Sequence, residues 1–331
     1  MIIFWGVVFI ASLALLVKGA DWFLVKAEKI GLALGFSPFV IGVVLVGLGT
    51  SFPELASSLA AVLSGASEIV TANAVGSNIA NILLVVAIAA IAGRKLVVTK
   101  NLIDLDLPLL AISTTVFLGV ALDGSVTMLE SILLVILFVI YMFYTIAHSD
   151  EAQPEEGSVV IPPSTDTRSR IEHAKEQLKM VLSISPWDFL ILAGGLVALV
   201  VGSKFLVDSI LNLADLLGIA VGAISLVAVA IGTSLPELLV SVKAALQNKA
   251  EVALGNIFGS NVFNILLVVG LPGLFGTLQI DNATLFLGIP VMVAATVLFI
   301  ISGISRQIYR YEGAMFLVFY ALFLGKLTGI L

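Results

Sequence analysis

The sequence predicts an all-α membrane protein of ten transmembrane helices, arranged as two inverted five-helix repeats. Three observations predict it. Of 331 residues, 60% are hydrophobic and only 11% charged, with a mean hydropathy of +1.17; a soluble domain carries roughly a quarter charged residues. Apolar stretches of about twenty residues, long enough to cross a bilayer, recur ten times. A 38-residue segment returns without gaps at a constant offset of 183 residues.

The apolar stretches begin near Ile2, Pro38, Ile69, Leu102, Val126, Trp187, Val221, Val252, Ala283 and Ile308, and they end at polar or Gly-containing turns. The first holds no Lys or Arg before Lys18, so it lacks the basic start of a cleavable signal peptide and is expected to stay as a helix. The first five form one unit over 1–147. Residues 148–185 form a polar linker with Asp150, Glu151, Glu155, Glu156 and the Pro162-Pro163 pair, and the last five helices form a second unit over 186–331. The leading expectation for the linker is a solvated tether; the alternative is a helix lying on the membrane surface, since Ile171, Ala174, Leu178, Val181 and Leu182 share one helical face.

Basic residues orient the chain. With both termini outside, Lys18, Lys26, Lys29, Arg94, Lys95, Lys100, Arg168, Arg170, Lys175, Lys179, Lys243, Lys249, Arg306 and Arg310 are cytoplasmic, as is the linker, and only Lys204 and Lys326 lie outside. The expected location is a multi-pass plasma-membrane protein. Asp104 and Asp106 are expected to pair with Arg94, Lys95 and Lys100 or to sit at a helix start. Trp5, Trp22 and Trp187 mark membrane interfaces, and Asn282-Ala-Thr284 matches a glycosylation sequon.

Composition also excludes functions. A net charge of −6 argues against a nucleic-acid partner. The absence of Cys removes disulfides and thiolate metal sites, and the two His residues, His148 and His173, both lie in the polar linker. Soft metals therefore have no ligand set within the apolar stretches.

The repeat reads GTSFPELASSLAAVLSGASEIVTANAVGSNIANILLVV from Gly49 and GTSLPELLVSVKAALQNKAEVALGNIFGSNVFNILLVV from Gly232. The motif regions span about 46–86 and 229–269. Thr50 matches Thr233, Glu54 matches Glu237, Ser77 matches Ser260 and Asn81 matches Asn264. The copies lie five crossings apart, and an odd number of crossings reverses direction, so the repeats are inverted. Transporters built this way bind their substrate at the midplane, between the two copies.

Glu54 and Glu237 sit near the middle of apolar helices. A charge there costs about 2.5–3.5 kcal/mol on insertion scales, so the pair demands compensation, and a bound cation supplies it. Pro53 and Pro236 each remove an N–H and clash with the preceding turn, so the helices should break. Carbonyls around Gly47, Gly49, Thr50, Ala230, Gly232 and Thr233 are then released toward the site. Ser51, Ser234, Ser77, Ser260, Asn81 and Asn264 add hydroxyl and amide oxygens, with Ser77/Asn81 and Ser260/Asn264 spaced i,i+4 on one face. An all-oxygen set suits a hard cation, Ca²⁺ with 6–8 oxygens or Na⁺ in the same cage. Gly76 and Gly259 are expected to permit close helix approach, while Asn73 and Asn256 either cap helices or lie further along the pathway.

At these residues the chain resembles the sodium/calcium exchangers of the cation/Ca²⁺ antiporter superfamily. The likeness implies that Glu54 and Glu237 ligate Ca²⁺ with the Thr50 and Thr233 carbonyls. It also implies that Na⁺ shares the Glu residues and uses Ser51, Ser77, Ser234, Ser260 and the carbonyls of Gly47 and Ala230. In this reading Ca²⁺ and Na⁺ are transported substrates, no organic cofactor is needed and one copy suffices. Potassium-dependent relatives carry Asp where this chain has Asn264, which argues against K⁺ co-transport. The linker is too short for the Ca²⁺-sensing domains of animal exchangers. The leading expectation is Na⁺/Ca²⁺ antiport by alternating access, with H⁺/Ca²⁺ antiport through the same Glu pair as the alternative. A channel or an intramembrane enzyme fits the residues poorly.

Overall fold

The computed structural model describes residues 1–97, 106–147, 181–216 and 232–331. Among these, seven helices are long and apolar enough to cross a membrane, and Leu107–Ala121 is a shorter apolar one. With two further helices, α7 and α10, the described helices in chain order are α1 (Ile2–Ala33), α2 (Pro38–Leu63), α3 (Glu68–Ala92), α4 (Leu107–Ala121), α5 (Met128–Ala147), α6 (Pro186–Leu216), α7 (Leu235–Leu246), α8 (Ala250–Gly273), α9 (Thr284–Ile304) and α10 (Arg310–Leu327). The start of the seventh helix near Val221, the start of the fourth near Leu102, and most of the linker with its amphipathic face lie outside the described residues.

Two predicted starts move because short strands intervene. Ser125–Val126 (β2) pairs antiparallel with Leu278–Gln279 (β3), so α5 begins at Met128 and not at Val126. Lys95–Val97 (β1) pairs with Gln307–Tyr309 (β4), so α10 begins at Arg310 and not at Ile308. The ribbons obey the 183-residue offset, β1 matching β3 and β2 matching β4. Apolar alternation hid them, because Leu96 and Ile308 are buried inward-facing strand residues whose pattern reads equally as a helix end.

The same offset relates helix to helix. Within α2 the segment Phe52–Leu63 matches α7, Leu235–Leu246, to the residue. Ser51 (φ −88°, ψ 3°) and Ser234 (φ −90°, ψ 7°) precede them with nearly identical backbone angles. In α3 and α8 the helix widens to π geometry at Asn81–Val86 and Asn264–Val268. Such widening frequently accompanies functional sites.

Burial sorts the helices. The apolar windows of α8 and α3 are 94% and 83% buried, whereas that of α1 is 17% buried, so α3 and α8 form the centre and α1 lies at the periphery. There α1 packs on α6 through glycines: a Cβ on Gly195 would lie 2.7 Å from the Phe23 nitrogen and 3.0 Å from the Gly19 carbonyl. Small residues allow such backbone approach in membranes. Every ion pair among the described residues involves α1. Lys26 and Lys29 bind Asp188 at the start of α6, at 2.7 and 2.6 Å, while Asp21 and Glu28 bind Lys243 and Lys249 beside α7. The α1–α6 pair thereby covers α7, with Leu16 and Phe23 in one cluster with Val240 and Ala244. The matching helix Phe52–Leu63 has no such cover at Ser57, which is exposed, whereas its counterpart Val240 is fully buried. Asp106 takes the helix-start position, immediately before α4, where it is buried with no ion pair among the described residues; Lys100 and Asp104 are outside them.

In the turn before α9, Asp281 accepts hydrogen bonds from the backbone of Ala283 (2.9 Å) and Thr284 (3.0 Å) and from the Thr284 hydroxyl. Partial burial alone would raise its pKa, but these bonds outweigh burial and hold the carboxyl below the usual range. A depressed carboxylate contributes stability that is present above its unfolded pKa and lost as pH falls through the folded value. Asp281→Ala is expected to cost about 1 kcal/mol, as loss of a helix cap does. It should also flatten the acid limb of stability below the ordinary carboxylate pKa, read as thermal midpoint against pH in detergent.

Candidate cation site at the centre of the repeats

Each Pro lies in the first turn of the helix that it restarts, where its missing N–H breaks no bond within that helix. The interruption is therefore short: a single-residue turn at Ser51 in α2, and turn residues Thr233 and Ser234 before α7. Glu54 and Glu237 fall in the first turn after the break, where the positive helix end favours a carboxylate. Both are buried, at 2% and 1% exposure, and lie within electrostatic range of each other.

Most of the predicted ligands share the burial of the Glu pair. Thr50, Ser51, Ser77, Asn81, Ser234, Ser260 and Asn264 are all buried, Gly47 is buried, and Thr233 is half-buried. Ala230 lies outside the described residues. Four side-chain hydrogen bonds cross between the repeat motifs, three of them at the break in α2. The Ser51 hydroxyl donates to Glu237 Oε1 at 3.1 Å, the Thr50 hydroxyl to Asn256 Oδ1 at 3.2 Å, with the Gly47 carbonyl of its own helix a longer acceptor at 3.4 Å, and the Ser260 hydroxyl to the Gly47 carbonyl at 3.3 Å. The Gly47 carbonyl is thus not the free acceptor expected from the Pro53 break. It also receives the Ser51 N–H at 3.1 Å, because Pro53 removes only its own N–H and leaves the turn before it intact.

The buried oxygens with no hydrogen-bond partner among the described residues include six on predicted ligands, Glu54 Oε2, Glu237 Oε2, Ser77 Oγ, Ser234 Oγ, Asn81 Oδ1 and Asn264 Oδ1, with Asn78 Oδ1 and Asn261 Oδ1 on the same helices and four others on α4 and α5. An unsatisfied buried polar group costs about 1–3 kcal/mol, and more when charged. No cluster of three or more His, Cys, Asp or Glu occurs among the described residues, so beyond the Glu pair the available donors are neutral oxygens.

Asn73 and Asn256 lie inside α3 and α8 and so are not helix caps. Asn256 Nδ2 donates to the Glu237 carbonyl (3.3 Å) and the Ser241 hydroxyl (2.7 Å), and Asn73 Nδ2 donates to the Glu54 carbonyl (3.4 Å) and the Ser58 hydroxyl (3.2 Å). Each ties a Glu helix to its neighbour. Asn78 and Asn261, which sequence reasoning passed over, meet between α3 and α8, with Asn78 Nδ2 donating to the Asn261 carbonyl at 3.0 Å. Their signal was present: both Asn pairs recur at the common offset.

Gathered apolar helices around a buried, doubly acidic, oxygen-lined centre define a polytopic membrane transport protein. The family is specific. The sodium/calcium exchanger protein family model matches residues 4–147 and 187–328. Sodium/calcium exchanger MaX1 of Methanosarcina acetivorans is 37% identical, over 96% of this chain and 96% of that one. The putative antiporter CaxA of Alkalimonas amylolytica is 33% identical over 93% and 94%. A solved structure of the sodium-calcium exchanger NCX_Mj superposes with a TM-score of 0.78 at 30% identity, covering 97% and 98% of the two chains. The chain belongs to the sodium/calcium exchanger family, and it is a transporter, not an enzyme.

Proposed function

We propose that the chain exchanges Na⁺ for Ca²⁺ across the membrane, binding both in turn at the Glu54–Glu237 centre. The observation that carries this reading is the set of six buried unpaired oxygens on predicted ligands, which includes one from each carboxylate. Two carboxylates balance one divalent cation, and Asn81, Asn264, Ser77 and Ser234, with the Thr50 and Thr233 carbonyls, complete an oxygen shell of the kind Ca²⁺ takes. The Ser51 hydroxyl, now donating to Glu237, can rotate to turn its lone pairs to a cation. Na⁺ loads the same carboxylates with the flanking Ser51, Ser77, Ser234 and Ser260 hydroxyls. Three Na⁺ against two carboxylates would leave one surplus charge, so exchange at that ratio moves charge across the membrane.

One chain supplies both Glu residues, so a single copy contains the whole centre. The units 1–147 and 186–331 act as inverted halves around it, and the basic residues set the linker in the cytoplasm and both termini outside. Access alternates between the two faces.

Proteoliposomes with separately imposed Na⁺, K⁺ and pH gradients test the proposal. Uptake of radiolabelled Ca²⁺ is expected to follow the Na⁺ gradient, to ignore K⁺ and to generate a membrane potential. Uptake driven by pH alone in Na⁺-free buffer would replace this reading with H⁺/Ca²⁺ antiport.

A further inference from the structure

The repeats match in sequence and in helix bounds, yet their contacts around the centre are one-sided. Four side-chain bonds cross between the repeat motifs; three have a counterpart between described residues at the common offset, and none of the three is made. Ser51 donates to Glu237, but Ser234, which would donate to Glu54, has no partner. Asn78 donates to the Asn261 carbonyl, whereas Asn261 donates to Ile257 in its own helix; for the bond from Ser260 to Gly47 the matching acceptor, Ala230, lies outside the described residues. Thr50 donates to Asn256, and no described residue donates to the Oδ1 of Asn73.

Packing follows the same division. Thr50 and Asn256 are fully buried; Thr233 and Asn73 are half-buried, and Asn73 also donates to exposed Ser57 at 3.4 Å.

The two Asn residues are nevertheless built alike. Each spends its amide N–H groups on the carbonyl of its own Glu and on a Ser hydroxyl one turn later, which fixes the direction of the remaining oxygen. For Asn256 that oxygen is presented to a Thr hydroxyl of the opposite repeat.

We infer that Asn256 and Asn73 are positioning residues that alternate: Asn256 holds Thr50 in the conformation described here, and Asn73 holds Thr233 in the opposite-facing one. This rests on the antiport reading for its purpose, though not for its geometry. Each Asn–Thr bond belongs to one state only, and removing one biases the equilibrium toward the other.

The chain contains no Cys, so a single introduced thiol reports alone. Ser57→Cys and, separately, Val240→Cys mark the matching positions on the open and covered Glu helices. The full-length protein in ion-free proteoliposomes is labelled with a membrane-impermeant maleimide. Thr50→Val removes the donor and keeps the backbone carbonyl; it is expected to slow labelling of the thiol at position 57 relative to the thiol at position 240 by about fivefold, the ratio that one hydrogen bond controls. Thr233→Val should move the ratio the opposite way. Asn256→Ala added to Thr50→Val should shift it no further. A ratio unmoved by either Thr change, or moved in one direction by both, overturns the inference. Because labelling needs no gradient, failure of Na⁺-driven uptake in the unmodified protein would count against the antiport reading and leave this result standing.

Discussion

Glu54→Gln or Glu237→Gln is expected to reduce Na⁺-driven Ca²⁺ uptake to background while the protein still elutes as a folded species. Gln keeps the shape and one oxygen of Glu but removes the charge. With one carboxylate left, a divalent ion entering the centre keeps an uncompensated positive charge in a buried environment, where the penalty for an unpaired charge is several kcal/mol. At about 1.4 kcal/mol per tenfold, that exceeds a hundredfold loss of affinity. The folded state should tolerate the change, or gain from it. Each Glu lies buried with an unpaired oxygen and no ion-pair partner among the described residues, so neutralising it removes a desolvated charge. A variant that loses transport but is more heat-stable than the parent separates a cargo role from a structural one. Full uptake by either variant would end the assignment of the Glu pair.

The parts of this site legible in the sequence were those written twice. The Gly-Thr-Ser-x-Pro-Glu motif repeats at a fixed offset, and that repetition singled out Glu, Thr, Ser and Asn residues that the fold buries wholly or in part. Composition and apolar run length were enough for an all-α membrane fold, since only helices and closed barrels satisfy their backbone in lipid. The strand ribbons and π segments were not legible, because both depend on partners remote in sequence. Ile308 joins a strand only because Leu96 lies opposite it. The one-sided bonding was beyond sequence altogether: two near-identical motifs predict two near-identical half-sites, whereas the state described here makes Thr50–Asn256 and leaves the Asn73 oxygen without a described donor. The same holds for the ion pairs on α1. Lys243 has Ala60 as its match and Glu28 has Leu211, so these pairs follow no repeat and had no signal in one.

Gly255→Ala should be the most damaging small substitution outside the cation site. The added Cβ would lie 2.4 Å from the Phe39 carbonyl, 3.0 Å from Gly42 Cα and 3.1 Å from the Val43 nitrogen, all backbone atoms that cannot rotate away. Relief requires parting α2 from α8, and α8 is the most buried of the spanning helices described. Overpacking of this kind costs about 1–3 kcal/mol and sometimes more, and here the strain has a functional address. The segment of α2 pressed against Gly255 continues directly to Gly47, Thr50 and Ser51, whose bonds to Ser260, Asn256 and Glu237 join the two halves of the centre. A shift large enough to admit one methyl group stretches those bonds. Gly255→Ala is therefore expected to lower the thermal midpoint and to cut Ca²⁺ uptake at least tenfold, about 1.4 kcal/mol in equilibrium terms. Gly194→Ala on α6 is the control. Its Cβ would meet no described atom within 4 Å, and Ala favours a helix interior over Gly by up to about 1 kcal/mol, so stability should hold or rise. Equal behaviour of the two variants in heat and in transport would mean that α2 and α8 do not touch backbone to backbone, and the geometry that brings Thr50 to Asn256 would fall with it.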